Sequence, residues 1–412
     1  MTYNLTTSTF SSTLPNLIET YLPSSLHPFF LLSYPIHPKA HSFLRLTSTS
    51  NNLGGQILYD KGYKDIYYSI SWAIIFTLLR SFTMNYVFQP FASYILDRNR
   101  RIELKQKRKQ KKMKGSDTDE EVEVKEESKK EKRHKRHLVT RFAEQGWSML
   151  YCTVFWTLGM FTLYSVPSPT SPEQLWGTYP YTPLPALTKF YYLAQLGWWF
   201  HQIYVINTEK RRKDHWQMFG HHILTITLIV TSYIANFTRI GVVIHVLMDF
   251  CDIFLPLAKM LRYLSYSRSC DLTFVIFLIS WLFSREIGLF LVIKTSYLDA
   301  PRFIQFKWSP STGQYLTYRT YLGFIGLVSL LWVLASIWFY MAVKVAAKVV
   351  RGQGAEDSRS DDEDEDGPTE DADGEVLDDV PQSVGTTANG IANGHLHSNG
   401  NGDGDGTLKK RK

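Results

Sequence analysis

The chain has 412 residues, 45 Lys and Arg against 38 Asp and Glu, a formal charge of +7 and a mean hydropathy of −0.16. That average reads as soluble only because the charges crowd into residues 97–138 and 355–380, leaving the remainder apolar and aromatic. Basic residues beside apolar segments describe membrane topology and argue against nucleic acid as a partner, and Cys152, Cys251 and Cys270 lack the spacing of a disulfide framework or zinc ribbon.

Residues 1–65 open Ser/Thr/Pro-rich, without the apolar core of a cleavable signal, and read as a luminal or interfacial region. Within them "HPFFLLSYPI" is too short and too proline-interrupted to span a bilayer. It reads as an interfacial segment or a half-helix, so eight spans stands as the alternative to seven. The first span falls at about 66–88, "IYYSISWAIIFTLLRSFTMNYVF", inside a segment 66–96; its Arg80 reads as structural. A charged linker at 97–138, opening on "RNRRIELKQKRKQKKMK", is expected to be disordered and cytosolic.

Residues 139–350 hold six further apolar stretches, at about 146–165, 186–206, 217–237, 239–261, 272–296 and 322–345, each near the ~20 residues that cross a bilayer. The fold class is all-α, a polytopic membrane protein. "VPSPTSPEQLWGTYPYTPLPALT" has no Lys or Arg and is assigned to the lumen, whereas "NTEKRRKDHWQ", "RYLSYSRS" and "KVAAKVVRG" return to the cytosol. The stretch 297–321, with Arg302, Lys307 and Arg319, weakens that contrast. Residues 351–412 form an acidic, then Gly/Asn-rich tail, expected to be disordered and cytosolic. Ser358 and Ser360 precede acids as an acid-directed kinase requires, although a solvated acidic tail is the plainer reading. The terminal Lys409, Lys410, Arg411 and Lys412 match a dilysine retrieval signal, which places the chain in the endoplasmic reticulum membrane.

Titratable groups inside these oily segments are costly and so mark function. At about 100° per residue, His245, Asp249, Asp252, Pro256 and Lys259 lie within about ±40° of one helical line. His221, Thr225, Ser232 and Asn236 form a second line on the preceding segment, with His222 beside it. A minimal turn makes the two segments antiparallel neighbours, so the stripes should face each other. A lone polar residue there is usually a helix–helix hydrogen bond; five titratable groups on two helices indicate a site. Histidine with carboxylate suits general acid–base work, and a metal centre is the rival. Arg285 is expected to pair with another helix, not with its neighbour Glu286. Trp198, Trp199 and His201 either line a lipid cavity or belong to the aromatic core.

From 206 to 264, "INTEKRRKDHWQMFGHHILTITLIVTSYIANFTRIGVVIHVLMDFCDIFLPLAKMLRYL" resembles the Lag motif of ceramide synthases, within a TLC domain. "KGYKDIYYSISWAIIFTLLRSFTMNYVFQPFA" upstream and "SWLFSREIGLF" downstream fit as well, and the charged linker stands where many animal members carry a homeobox-like insert. The resemblance, closest in character to fungal members, implies a six-helix TLC bundle that moves a fatty acyl group from acyl-CoA to the amine of a sphingoid base. His221 and His222 are then the catalytic centre, and Asp249 and Asp252 orient an imidazole and hold the cationic amine. Lys210, Arg211, Arg212 and Lys213 bind CoA phosphates, although positive-inside topology explains them equally well. Thr225, Ser232, Asn236, His245 and Trp199 contact substrate. The resemblance implies no metal and no cofactor beyond acyl-CoA as co-substrate. The partners it implies are the bilayer, a second ceramide synthase copy or paralogue in a dimer, and a small single-span subunit. The alternatives are a non-catalytic TLC-domain lipid sensor or membrane chaperone, and a transporter relaying protons.

Overall fold

The seven apolar stretches are helical, with 239–261 divided between two helices, in the computed structural model, which describes residues 18, 20–36, 57–113, 129–166, 168–177, 179–180, 183–209, 214–310 and 314–351. The "HPFFLLSYPI" patch forms a four-residue helix α1 (His27–Phe30) and a strand β1 (Pro35–Ile36), neither long enough to cross a bilayer. β1 pairs antiparallel with β2 (Leu58–Tyr59), and β2 with β3 (Leu184–Pro185), in a three-stranded sheet of order β1-β2-β3.

The first rod is α2 (Asp65–Thr83), a π-helical turn at Met84–Phe88, and α3 (Gln89–Met113). Antiparallel to it runs α4 (Lys129–Tyr164), charged at its start and apolar at its end. Thus the linker expected to be disordered over 97–138 is helical at 97–113 and 129–138. Its Lys, Arg, Glu and Gln are good helix formers. Glu103–Lys107 pair at i,i+4 (2.7 Å), and Lys135–Asp97 (2.5 Å) and Arg100–Glu131 (3.7 Å) join the two helices.

After a short α5 (Pro172–Trp176) come α6 (Ala186–Thr208), α7 (His215–Ile234) and α8 (Thr238–Cys251). The α7–α8 turn closes with Asn236 at φ 63° and the Phe237 amide donating to the Ser232 carbonyl (2.8 Å), the left-handed ending that asparagine tolerates. The stretch expected as one helix over 239–261 is interrupted. α8 stops at Cys251, and α9 (Phe254–Tyr263) restarts after Asp252. Pro256 explains the position, because it has no N–H for the Asp252 carbonyl and its ring crowds that oxygen.

α10 (Ser267–Trp281) continues through a π-helical stretch, Leu282–Gly288, into α11 (Leu289–Leu298) and a last turn α12 (Ala300–Phe303). A hairpin of β4 (Lys307–Ser309) and β5 (Gln314–Leu316) leads to α13 (Tyr318–Val350). Three helical stretches, Thr238–Tyr263, Ser267–Phe303 and Tyr318–Lys348, are long and apolar enough to cross a membrane by length and composition. Two buried clusters hold the rods together. Phe76, Tyr151, Phe155 and Trp198 join α2, α4 and α6; Phe237, Ile240, Phe324 and Val328 join the α7–α8 turn to α13.

Candidate active site

Members of both clusters line a cavity of about 490 Å³ of atom-free space, counting its open part, between α6, α7, α8 and α13. Its walls are mainly aliphatic and aromatic. His221 and Thr225 come from α7, His245 and Asp249 from α8, and Trp199 from α6. Where it nears the α7–α8 turn, Ser232, Tyr192 and Gly241 line it. A side chain at 241 would clash with the Tyr192 hydroxyl, so this glycine is required by close approach.

Helix geometry puts the acid and the imidazole level. His221 and Asp249 lie about 22 Å and 20 Å from the Asn236 turn at a rise of ~1.5 Å per residue. α8 ends at Cys251, level with His221 and short of the α7 start at His215.

His221 is buried, its ring edge-on to Trp199 (5.5 Å) and Trp338 (5.2 Å), and its Nδ1 has no hydrogen-bond partner among the described residues. His222 donates from Nδ1 to the Met218 carbonyl. A carbonyl only accepts, so His222 Nδ1 carries the proton and Nε2 the lone pair when the ring is neutral. Asp249, buried, accepts at Oδ2 from Gln195 Nε2 (2.8 Å).

Residues 141–344 match the TLC domain family. The fission yeast (Schizosaccharomyces pombe) sphingosine N-acyltransferase lag1 is 37% identical over 337 residues, 82% of this chain and 76% of that protein. The Saccharomyces cerevisiae ceramide synthase LAG1 is 27% identical over 361 residues, 83% and 77% of the two chains. Mouse ceramide synthase 5 is 32% identical over 236 residues, 56% and 54%. This chain belongs to the ceramide synthase family.

Against that family's chemistry, the structure brings His221, Thr225, Ser232, His245, Asp249 and Trp199 to one cavity and separates the others. His222 does not line it; it lies against Trp199 (5.2 Å) and its own helix backbone. Neither carboxylate bonds an imidazole, contrary to the orienting role expected of Asp249 and Asp252. Gln195 takes Asp249, and Arg285 takes Asp252 (2.6 Å) while also donating to the Met248 carbonyl (2.8 Å) and stacking on Trp281 (4.3 Å). The interruption at Asp252 removes it from the line of His245 and Asp249. It also leaves the Met248 carbonyl to Arg285, so the expected pairing of Arg285 with another helix is the one seen.

Asn236 is outside the cavity; its Oδ1 accepts from Lys61 Nζ (2.8 Å) beside the turn. Thr225 donates to the His221 carbonyl (2.9 Å). The Ser232 hydroxyl donates to the Ile229 carbonyl (3.0 Å), so it accepts from Tyr192. Trp198 stacks on Tyr151 (3.4 Å) in the core, and His201 bonds Thr77 (2.9 Å). Arg80 pairs with Glu209. Lys210, Arg211, Arg212, Lys213, the tail serines and the dilysine end lie outside the described residues. Among the described residues no three His, Cys, Asp or Glu side chains are grouped as a metal would need.

The sequence reading missed Gln195 and Tyr192. Gln195 had a signal: it is the one amide in an otherwise apolar and aromatic stretch from 190 to 200.

Proposed function

We propose that the chain N-acylates a sphingoid base with acyl-CoA, giving a ceramide, and that the cavity between α6, α7, α8 and α13 is where the amide forms. The observation that carries this reading is that His221 and Asp249, each with a polar atom left open, stand level on facing helices in a mainly apolar hollow. Both substrates have long tails that stay in hydrocarbon there, and the reacting groups meet at the polar end.

Asp249 holds the ammonium of the base. His221 takes one proton, freeing the nitrogen lone pair to attack the thioester carbonyl. The tetrahedral adduct loses a second N–H proton and expels CoA as its thiolate. The C–S bond breaks, the C–N bond is kept, and the imidazolium protonates the thiolate, so one proton reaches solvent per turnover. In a two-step variant the imidazole itself first receives the acyl group. The mass of protein exposed to acyl-CoA alone separates the routes, since only the second leaves an acyl-histidine. No cofactor takes part.

The topology follows from the same reading. Seven spans would put the α7 start, the α8–α10 connection and the α13 end in the cytosol, and the basic run Lys210, Arg211, Arg212 and Lys213 just before α7 in sequence is suited to CoA phosphates there. The same topology puts the basic exit of α13 in the cytosol of an endoplasmic reticulum membrane protein, and family likeness supports pairing with a second such chain and a small single-span subunit. Purified protein given a sphingoid base and acyl-CoA tests the function. Ceramide from wild type and a rate at least a hundredfold lower, on the order of 10²–10⁴-fold, from His221→Ala supports it; binding without product in wild type points to the lipid-sensor alternative instead.

A further inference from the structure

Gln195 is almost fully buried on α6, and its amide is completely engaged. Oε1 accepts from the Tyr151 hydroxyl (2.7 Å), and Nε2 donates to Asp249 Oδ2 (2.8 Å) and, more weakly, to the Tyr191 hydroxyl (3.3 Å). The direction of this chain is fixed chemically. A carboxylate that is to hold an ammonium is ionised and only accepts, so the NH2 group faces Asp249, and the amide oxygen then faces a hydroxyl that donates. Tyr151 has little freedom to do otherwise, because it is buried between Trp198 (3.4 Å) and Phe155 (4.5 Å).

The consequence falls on the other carboxylate oxygen. Asp249 lines the cavity, its Oδ2 is turned to Gln195, and Oδ1 has no hydrogen-bond partner among the described residues. We propose that Gln195 is a positioning residue for substrate recognition: held by Tyr151, it anchors one oxygen of Asp249 so that the other faces the cavity and receives the ammonium of the sphingoid base. This rests on the reading that Asp249 binds the amine. Without the anchor the carboxylate is free to turn about its side-chain torsions, and the ion pair with the amine loses its prepaid alignment.

The test is a split between two Michaelis constants, measured on the full-length protein in detergent with a sphingoid base and an acyl-CoA. Gln195→Leu keeps the volume and removes the donor. It should raise KM for the base about tenfold or more, the scale of a lost hydrogen bond to a charged group, while leaving KM for acyl-CoA within about twofold. Tyr151→Phe leaves Gln195 in place but releases its oxygen, and should raise KM for the base in the same direction by a smaller factor. It decides the matter if Gln195→Leu fails to fold. Unchanged constants in both variants, or a fall in kcat with no preference between the substrates, overturn the proposal and make Gln195 a packing residue. Asp249→Asn separates the two levels. If it too leaves KM for the base unaltered, the reading of Asp249 fails; if it raises that constant and the Gln195 and Tyr151 variants do not, only the anchoring role is lost.

Discussion

Two buried polar regions lie at opposite ends of the α7–α8 hairpin, and they differ in what they leave open. Beside the Asn236 turn, Lys189 is fully buried, and its ammonium reaches Asp65 Oδ1 (2.8 Å) and the carbonyls of Ser33 (2.7 Å) and Asp60 (2.6 Å). Asp65 Oδ2 accepts from the Gly62 amide (2.9 Å) and the Tyr233 hydroxyl (2.8 Å). Both buried charges are thus paired, and these contacts join the segments flanking the small sheet to α2, α6 and α7. At the other end, His221 Nδ1 and Asp249 Oδ1 have no such partners among the described residues. Saturated polar groups hold a fold together; unsaturated ones on a cavity wall await a ligand.

The strongest way to break this contrast is to delete an open group. His221→Ala should lower turnover by roughly 10²–10⁴-fold, the usual worth of a general acid–base group, with the thermal midpoint in detergent near wild type. A variant that kept its rate would place the chemistry elsewhere.

Deleting a saturated group should do the reverse. Lys189→Met leaves Asp65 buried without its cation, which costs about 3–5 kcal/mol. We expect a lower unfolding midpoint but normal turnover per folded molecule, read by thermal melts and by activity of the monodisperse fraction. Arg285→Met should cost less, about 1–3 kcal/mol, because half-exposed Asp252 can turn to solvent and the loss is chiefly the donor to the Met248 carbonyl.

The smallest effect concerns pH. Burial pushes Lys61 down to about 7 from its ordinary 10.5; nearby Lys189 lowers it further, and Asp60 and Asp65 oppose the shift. Below pH 7 both folded and unfolded chains carry the proton, and the folded state bears the full penalty. Between about 7 and 10.5 only the unfolded chain keeps it, so stability rises with pH through that window. The melting midpoint should therefore climb from pH 6.5 to 9 in wild type, and climb less in Lys61→Met. An equal climb in both would assign the dependence to another group.

Much of this site was legible beforehand because helical periodicity is a local property. The spacing of His221, Thr225 and Ser232, and of His245 and Asp249, put them on facing stripes, and they do line one cavity. One misreading had its correction in plain sight: Pro256, four residues after Asp252, announces the interruption that ends the second stripe. Other features had no local signal. That Asp252 would meet Arg285, 33 residues away, or Lys189 meet Asp65, depends on which helices touch. The helical state of 97–113 was hidden by composition, because a dense run of Lys and Arg looks like a solvated coil until an antiparallel neighbour supplies Asp97–Lys135 and Arg100–Glu131 pairs.

The first rod, residues 65–113, is about 73 Å long at a ~1.5 Å rise, more than twice the ~30 Å hydrocarbon thickness. A bilayer's hydrocarbon cannot hold its whole length, and the charged far end, clamped to the start of α4, is the part suited to water. A folded domain fused between Met113 and Lys129 would be carried by that charged helix pair, giving the particle an external mark for imaging.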